Sequence, residues 1–176
     1  IGIPVIDSPP APSVTNAKHI LYLFDAALGG LNLNTRTRGF KIENTPEFII
    51  RLTKEKGINV ISAGGRGDFI QERPEWGHSA FTKNLFSGLS DGMADVNDDG
   101  IITTTELGRY IRSGLAFDTE GMQTPQSGRW STDMGEFIFI IEDRYKNNSE
   151  EIKKLFSNDY YKEKHSKNLI DIYSKI

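Results

Sequence analysis

The sequence predicts an α/β fold with a mainly parallel, covered sheet, and two observations carry that expectation. Continuous apolar runs at His19–Phe24, Ile58–Ala63 and Phe137–Ile141 read as strands buried on both faces. Between them lie helix starts and helically spaced apolar residues, and strands that alternate with helices build parallel, covered sheets.

Taken in order, residues 1–16 are Pro-rich, with Pro4, Pro9, Pro10 and Pro12, and read as extended or irregular. The run from His19 to Phe24 is the first strand. Asp25 to Asn44 holds three glycines and a cluster of Asn, Thr and Arg, the composition of a long exposed loop. Thr45-Pro46 supplies an N-cap and a proline at the first helical position, which opens a helix to about Lys56. Ile58–Ala63 is the second strand, followed by a Gly-rich loop through Gly77. Ser79 caps a helix to about Ser90 whose inner face carries Phe81, Leu85, Phe86 and Leu89. Another helix covers about Thr104 to Ala116, and Phe137–Ile141 is the third strand. Beyond Asn148, Ile152, Leu155 and Phe156, then Leu169, Ile172, Tyr173 and Ile176, recur at amphipathic helical spacing. The organisation expected is a main domain over residues 1–143 and a helical tail over 144–176.

At 176 residues the chain is long enough to bury one core without disulfides or metals. Its net charge of −3, with no basic run or aromatic-basic stripe, argues against a nucleic-acid binder. Residues 1–143 hold 13 Lys+Arg against 19 Asp+Glu, whereas residues 144–176 hold 8 against 5. That reversal marks the tail as a candidate docking segment. No apolar stretch approaches the roughly 20 residues of a membrane span, and no signal peptide opens the chain, so a cytoplasmic protein is expected. The absence of cysteine removes disulfides and thiolate metal sites from consideration.

The chemistry is expected at the end of the first strand. There Phe24-Asp25-Ala26-Ala27-Leu28-Gly29-Gly30 turns a buried strand into an acid and a glycine pair. Ligands of open α/β sheets collect at the carboxyl ends of strands. Taken alone, these residues read as a strand followed by a glycine turn.

Downstream, Val60-Ile61-Ser62-Ala63-Gly64 precedes Gly77-His78-Ser79-Ala80-Phe81-Thr82, then Asp95-Val96-Asn97-Asp98-Asp99-Gly100, Thr105-Glu106-Leu107, Thr124-Pro125-Gln126 and Gly135-Glu136-Phe137. In this order the set resembles the prokaryotic caspase-like cysteine peptidases, relatives of metacaspases and orthocaspases, over residues 2 to 141. Their pattern is a strand ending Asp-Ala-Cys-x-Ser-Gly, a strand ending Ser-Ala or Thr-Ala, Gly-His-x-x-Phe-Thr, often Asp-x-Asn-x-Asp-Gly, and a closing Thr-Pro-Gln. The resemblance implies a caspase-haemoglobinase-like three-layer sandwich, a mainly parallel sheet with helices on both faces, lacking its N-terminal part. It implies a hydrolase: a protease cleaving peptide or protein after Arg or Lys.

Two departures bear on activity. Ala27 stands where the family has its nucleophilic Cys, and Gly29 where a Ser usually follows. The general-base His of the family lies upstream of the Cys, about 50 residues away in caspases. Here His19 alone precedes Ala27, at the wrong end of its strand. The chain as written is therefore expected to cut nothing, and the missing N-terminal portion, or a partner chain, is expected to supply the His. Ala27 fits an introduced inactivation and a natural pseudo-peptidase acting as a binding or regulatory module alike. By the same resemblance Asp25 helps form the pocket for the basic residue, where a carboxylate pairs with guanidinium or ammonium. Arg36 and Arg38, with Lys41, stand in the following loop, where relatives are often processed.

Asp95, Asn97, Asp99, Gly100, Ile101, Thr103 and Glu106 fall at positions 1, 3, 5, 6, 7, 9 and 12 of an EF-hand loop spanning 95–106. Ca²⁺ takes six to eight hard oxygens. The Asx side chains, the Ile101 carbonyl and a bidentate Glu106 would supply them, so a calcium-binding module is a further reading. The alternative is an acidic turn between two helices that holds no metal. His78 reads as a helix opener, His165 as a tail surface residue, Gly65–Asp68 as a chance match to an adhesion tripeptide, and Asn147–Ser149 as a chance sequon. Trp76 and Trp130 read as packing residues near the strand ends.

Overall fold

The structure, a computed structural model, describes residues 16–28, 33, 45–141 and 144. Strand β1 spans His19–Ala27 and strand β2 Gly57–Gly64, and they pair in parallel with Tyr22 beside Val60 and Leu23 beside Ile61. Helix α1, Pro46–Lys54, makes the crossover that a parallel pair requires. It begins where Thr45 Oγ1 accepts the Phe48 N–H at 3.3 Å. β2 is covered on both faces: Val60 and Ser62 on one, and Ile61 and Ala63 on the other, are all fully buried. β1 is only half-buried, and among the described residues it pairs with β2 alone.

Helix α2, Ala80–Ser90, and helix α3, Thr104–Asp118, pack together over one face of this sheet. Phe81, Leu107, Ile111 and Leu115 meet Ile61 and Ala63 in the main core. The first turn of α3 is fixed by a capping box in which Thr103 and Glu106 satisfy each other's backbone N–H groups. Strand β3, Ile101–Thr103, runs into that cap and pairs antiparallel with strand β5, Ile138–Ile140. A second, smaller core joins Ile49 and Leu52 of α1 to Ile101, with Ile138 packed against it.

Among the described residues the chain is thus α/β with a mixed sheet, in which β1 and β2 form the parallel pair. Strand β4, Gln126–Arg129, adds to β2 antiparallel, in sheet order β1-β2-β4. Its residues Gln-Ser-Gly-Arg are poor strand formers, and β2 supplies the pairing that their own propensities do not. The strand expected at Phe137–Ile141 exists, but its partner is β3, so it builds the two-stranded ladder rather than the main sheet. Arg36, Arg38, Lys41 and nearly all of the tail lie outside the described residues.

Candidate functional site

The carboxyl ends of β1 and β2 lie side by side, with Ala27 opposite Gly64 after an irregularity in register beyond Phe24. The Leu28 N–H continues the pairing to the Gly64 carbonyl at 3.1 Å. Asp25 sits two residues before Ala27 and is exposed. Its Oδ2 accepts hydrogen bonds from Ser79 Oγ at 2.6 Å and Thr82 Oγ1 at 2.7 Å. Ser79 is also the N-cap of α2, accepting the Thr82 N–H at 3.0 Å. The first turn of α2 is therefore tied to the end of β1 through one carboxylate oxygen. Such hydroxyl-to-carboxylate bonds are short and strong.

The segments after β2 and α3 close on the same end. Gln123 is buried; its Nε2 donates to the Ala63 carbonyl at 2.9 Å and its Oε1 accepts the Gln71 N–H at 2.9 Å. Asp68 Oδ2 accepts from Thr124 Oγ1 at 2.6 Å, from the Thr124 N–H at 2.7 Å and from the Gly65 N–H at 3.0 Å. The Thr124 hydroxyl first and the Thr124 N–H next hold the Asp68 carboxyl below its ordinary value; the Gly65 N–H adds to this and burial opposes it. Four stretches of sequence that are up to about 100 residues apart thus meet at one end of the sheet: Asp25–Ala27, Ser62–Gly64, Ser79–Thr82 and Gln123–Gln126. Ser79, Thr82, Asp68 and Gln123 were not singled out by sequence reasoning as parts of this site. Ser79 and Thr82 carried a signal, the N-cap position of the one and the Thr that closes the Gly-His-x-x-Phe-Thr stretch in the other.

No family model matches the chain, and no curated protein or solved structure matches it.

The other candidates fall as follows. His19 is at the start of β1, its Nε2 bonded to the Glu55 carbonyl at 2.8 Å, a full strand away from Ala27. His78 is exposed, with its ring 5.7 Å from that of Phe86. Trp76 packs against the main core beneath Arg73, whose guanidinium lies 4.7 Å from the indole ring. Trp130 donates its backbone N–H to the Ile58 carbonyl near the start of β2, at the opposite end of the sheet from Asp25.

The 95–106 segment follows the far end of α2. At 1.5 Å per residue, the 11-residue helix separates it from Ser79 by about 16 Å. The loop is wound around Asp95, whose Oδ1 accepts the Asp99 N–H at 3.1 Å and whose Oδ2 accepts the Gly100 N–H at 3.0 Å. Asp98 and Gly100 take positive φ, 56° and 79°, which Gly100 does without strain. Asp99 Oδ1 accepts the Ile101 N–H at 2.8 Å, and Asn97 Nδ2 donates to Asp99 Oδ2 at 2.7 Å. Glu106 Oε2 is turned to Thr103, accepting from its N–H and its hydroxyl, each at 2.9 Å. Arg144 Nη1 stands 3.6 Å from Asp95 and 3.4 Å from Asp98. The oxygen-rich donor set suits a hard cation, but among the described residues no three acidic or imidazole side chains converge as ligands.

Proposed function

We propose that the chain is the C-terminal portion of a caspase-like cysteine endopeptidase domain with specificity for a basic residue before the cut, inactive with Ala27 in the nucleophile position. The observation that supports this most is the meeting of the four motif stretches at the carboxyl end of the sheet, with Asp25 anchored two residues from Ala27. With Cys at position 27, a thiolate attacks the scissile carbonyl and forms a thioester as the amine leaves. A His from the N-terminal portion protonates that amine, and water then releases the acid. Backbone N–H groups near position 27 take the oxyanion. Ala27 retains the backbone donor and lacks the sulfur, so substrate docks and no bond breaks. Asp25, with Oδ2 held by two hydroxyls, presents its carboxylate to guanidinium or ammonium and repels an acidic side chain.

The test is Ala27→Cys with the N-terminal portion restored, assayed on matched peptides ending in Arg, Lys, Asp and Leu. Cleavage after Arg and Lys is expected, and Asp25→Ala in the restored enzyme should cost mainly that activity, with little loss of fold. A preference for Asp, or indifference to Asp25, would sink the pocket assignment. No cleavage at all would favour a binding or regulatory module.

A second reading is supported by the way the loop winds around Asp95. Ca²⁺ would be held by Asp95, Asn97, Asp99, the Ile101 carbonyl and Glu106, stapling the end of α2 to the start of α3. Glu106 must leave its Thr103 partners to contribute, so Glu106→Gln should weaken binding most. Isothermal titration should show heat with Ca²⁺ that exceeds that with Mg²⁺ and is lost in Glu106→Gln. Equal heats, or an unaffected variant, remove the site.

A further inference from the structure

A cleft of about 400 Å³ opens between α3 and β4. It lies away from Asp25: Arg129 on its wall pairs with Asn59, near the start of β2, whereas Asp25 and Ala27 are beside the end of that strand. Three arginines line it, Arg109 and Arg112 from α3 and Arg129 from β4, against one carboxylate, Glu136. In a chain of net charge −3 this is a local reversal of sign.

The carboxylate is already committed. Glu136 is buried, and its Oε1 accepts from Arg129 Nη2 at 2.9 Å and from Thr105 Oγ1 at 2.7 Å. Its Oε2 accepts the Thr105 N–H at 3.0 Å, in the first turn of α3. Glu136 thus offsets Arg129, and what remains uncompensated among the described residues is the other two arginines. Arg109 and Arg112 are exposed, three residues apart and so on the same side of α3, and neither has an ion pair among the described residues. Arg129 Nε is buried in the wall of the cleft and has no hydrogen-bond acceptor among the described residues. A buried donor without an acceptor is uncommon in folded proteins and calls for a partner.

We propose that this cleft is a binding site for a small multivalent oxyanion, a ligand bearing phosphate or carboxylate groups. Guanidinium forks match both groups in two-point contacts, and two such forks without an ion pair on one wall of the cleft exceed what a single monovalent anion needs. The volume is that of a small-molecule site rather than of a single-ion niche. The site is independent of the peptidase reading, since none of its residues belongs to the Asp25 end.

The full 176-residue chain should be titrated calorimetrically with tripolyphosphate and, separately, with citrate, at two salt concentrations. Binding is expected, weaker at higher salt, and reduced at least tenfold in Arg109→Ala/Arg112→Ala. These side chains are exposed and have no ion pair among the described residues, so the fold should survive, and circular dichroism checks that it does. Arg66→Ala, an exposed arginine outside the cleft, is the control and should bind as the parent does. Tighter tripolyphosphate identifies a phosphate ligand and tighter citrate a carboxylate ligand. Absence of binding by both, or an equal loss in the Arg66 control, overturns the proposal.

Discussion

Asp68 shows how much a single side chain can do at the end of a sheet. One oxygen gathers three donors from two loops, Gly65 just after β2 and Thr124 just before β4. The ionised form is the acceptor for all three, which is why its carboxyl titrates below the ordinary value. A depressed folded-state pKa contributes stability that is complete above the unfolded value of about 4 and is lost as pH falls through the folded value. Asp68→Asn should therefore lower stability near neutrality and flatten the acid limb of the stability curve below about pH 4. Chemical denaturation at pH 7 and at pH 3 checks this. A variant deficit that is undiminished at pH 3 would show that the carboxylate charge is not what matters. The sequence had no means of revealing this contact, because Asp68 and Thr124 stand 56 residues apart and neither belongs to a helical or strand pattern.

At the scale of elements, legibility followed local chemistry. α1 and α2 begin where Thr45-Pro46 and Ser79 predicted, because an N-cap hydroxyl acts on a backbone N–H three residues on. β1 and β2 were legible as apolar runs. β4 was not, since a Gln-Ser-Gly-Arg strand is made by its neighbour, and neither was β3, the partner of β5, which is only three residues long. Ser79 was legible as a cap, but its second bond, to Asp25, was not. That double role separates two variants. Ser79→Ala loses both the cap and one bond to Asp25, and should destabilise by about 1–2 kcal/mol. Thr82→Val loses only its bond to the exposed carboxylate, where water replaces it, and should cost less than about 1 kcal/mol. Urea midpoints at unchanged slope measure the difference. Equal losses would mean that the cap contributes nothing of its own.

At the scale of the whole molecule, the two edges of the main sheet differ. β4 closes one side antiparallel, while β1, which carries Asp25 and Ala27, has no second neighbour among the described residues. Leu23, on β1, is 38% exposed, and Tyr22 and Phe24 stack at 6.0 Å on the other face, only half-buried. The edge of an apolar strand is where a further strand can pair. On the proposed function that chain is the N-terminal portion with the catalytic His, because a strand added beside β1 would lie next to position 27. The isolated 176-residue chain should then self-associate, and adding the N-terminal portion should convert it to a defined one-to-one complex. Leu23→Lys, which places a charge on an exposed face of β1 and leaves its backbone pairing with β2 in place, should reduce self-association. Sedimentation velocity on the chain alone, the variant and the mixture reads all three. A monomeric chain that unfolds cooperatively by itself and ignores the N-terminal portion would mean that β1 needs no neighbour, and the reading of this chain as one part of a divided peptidase domain would fall with it.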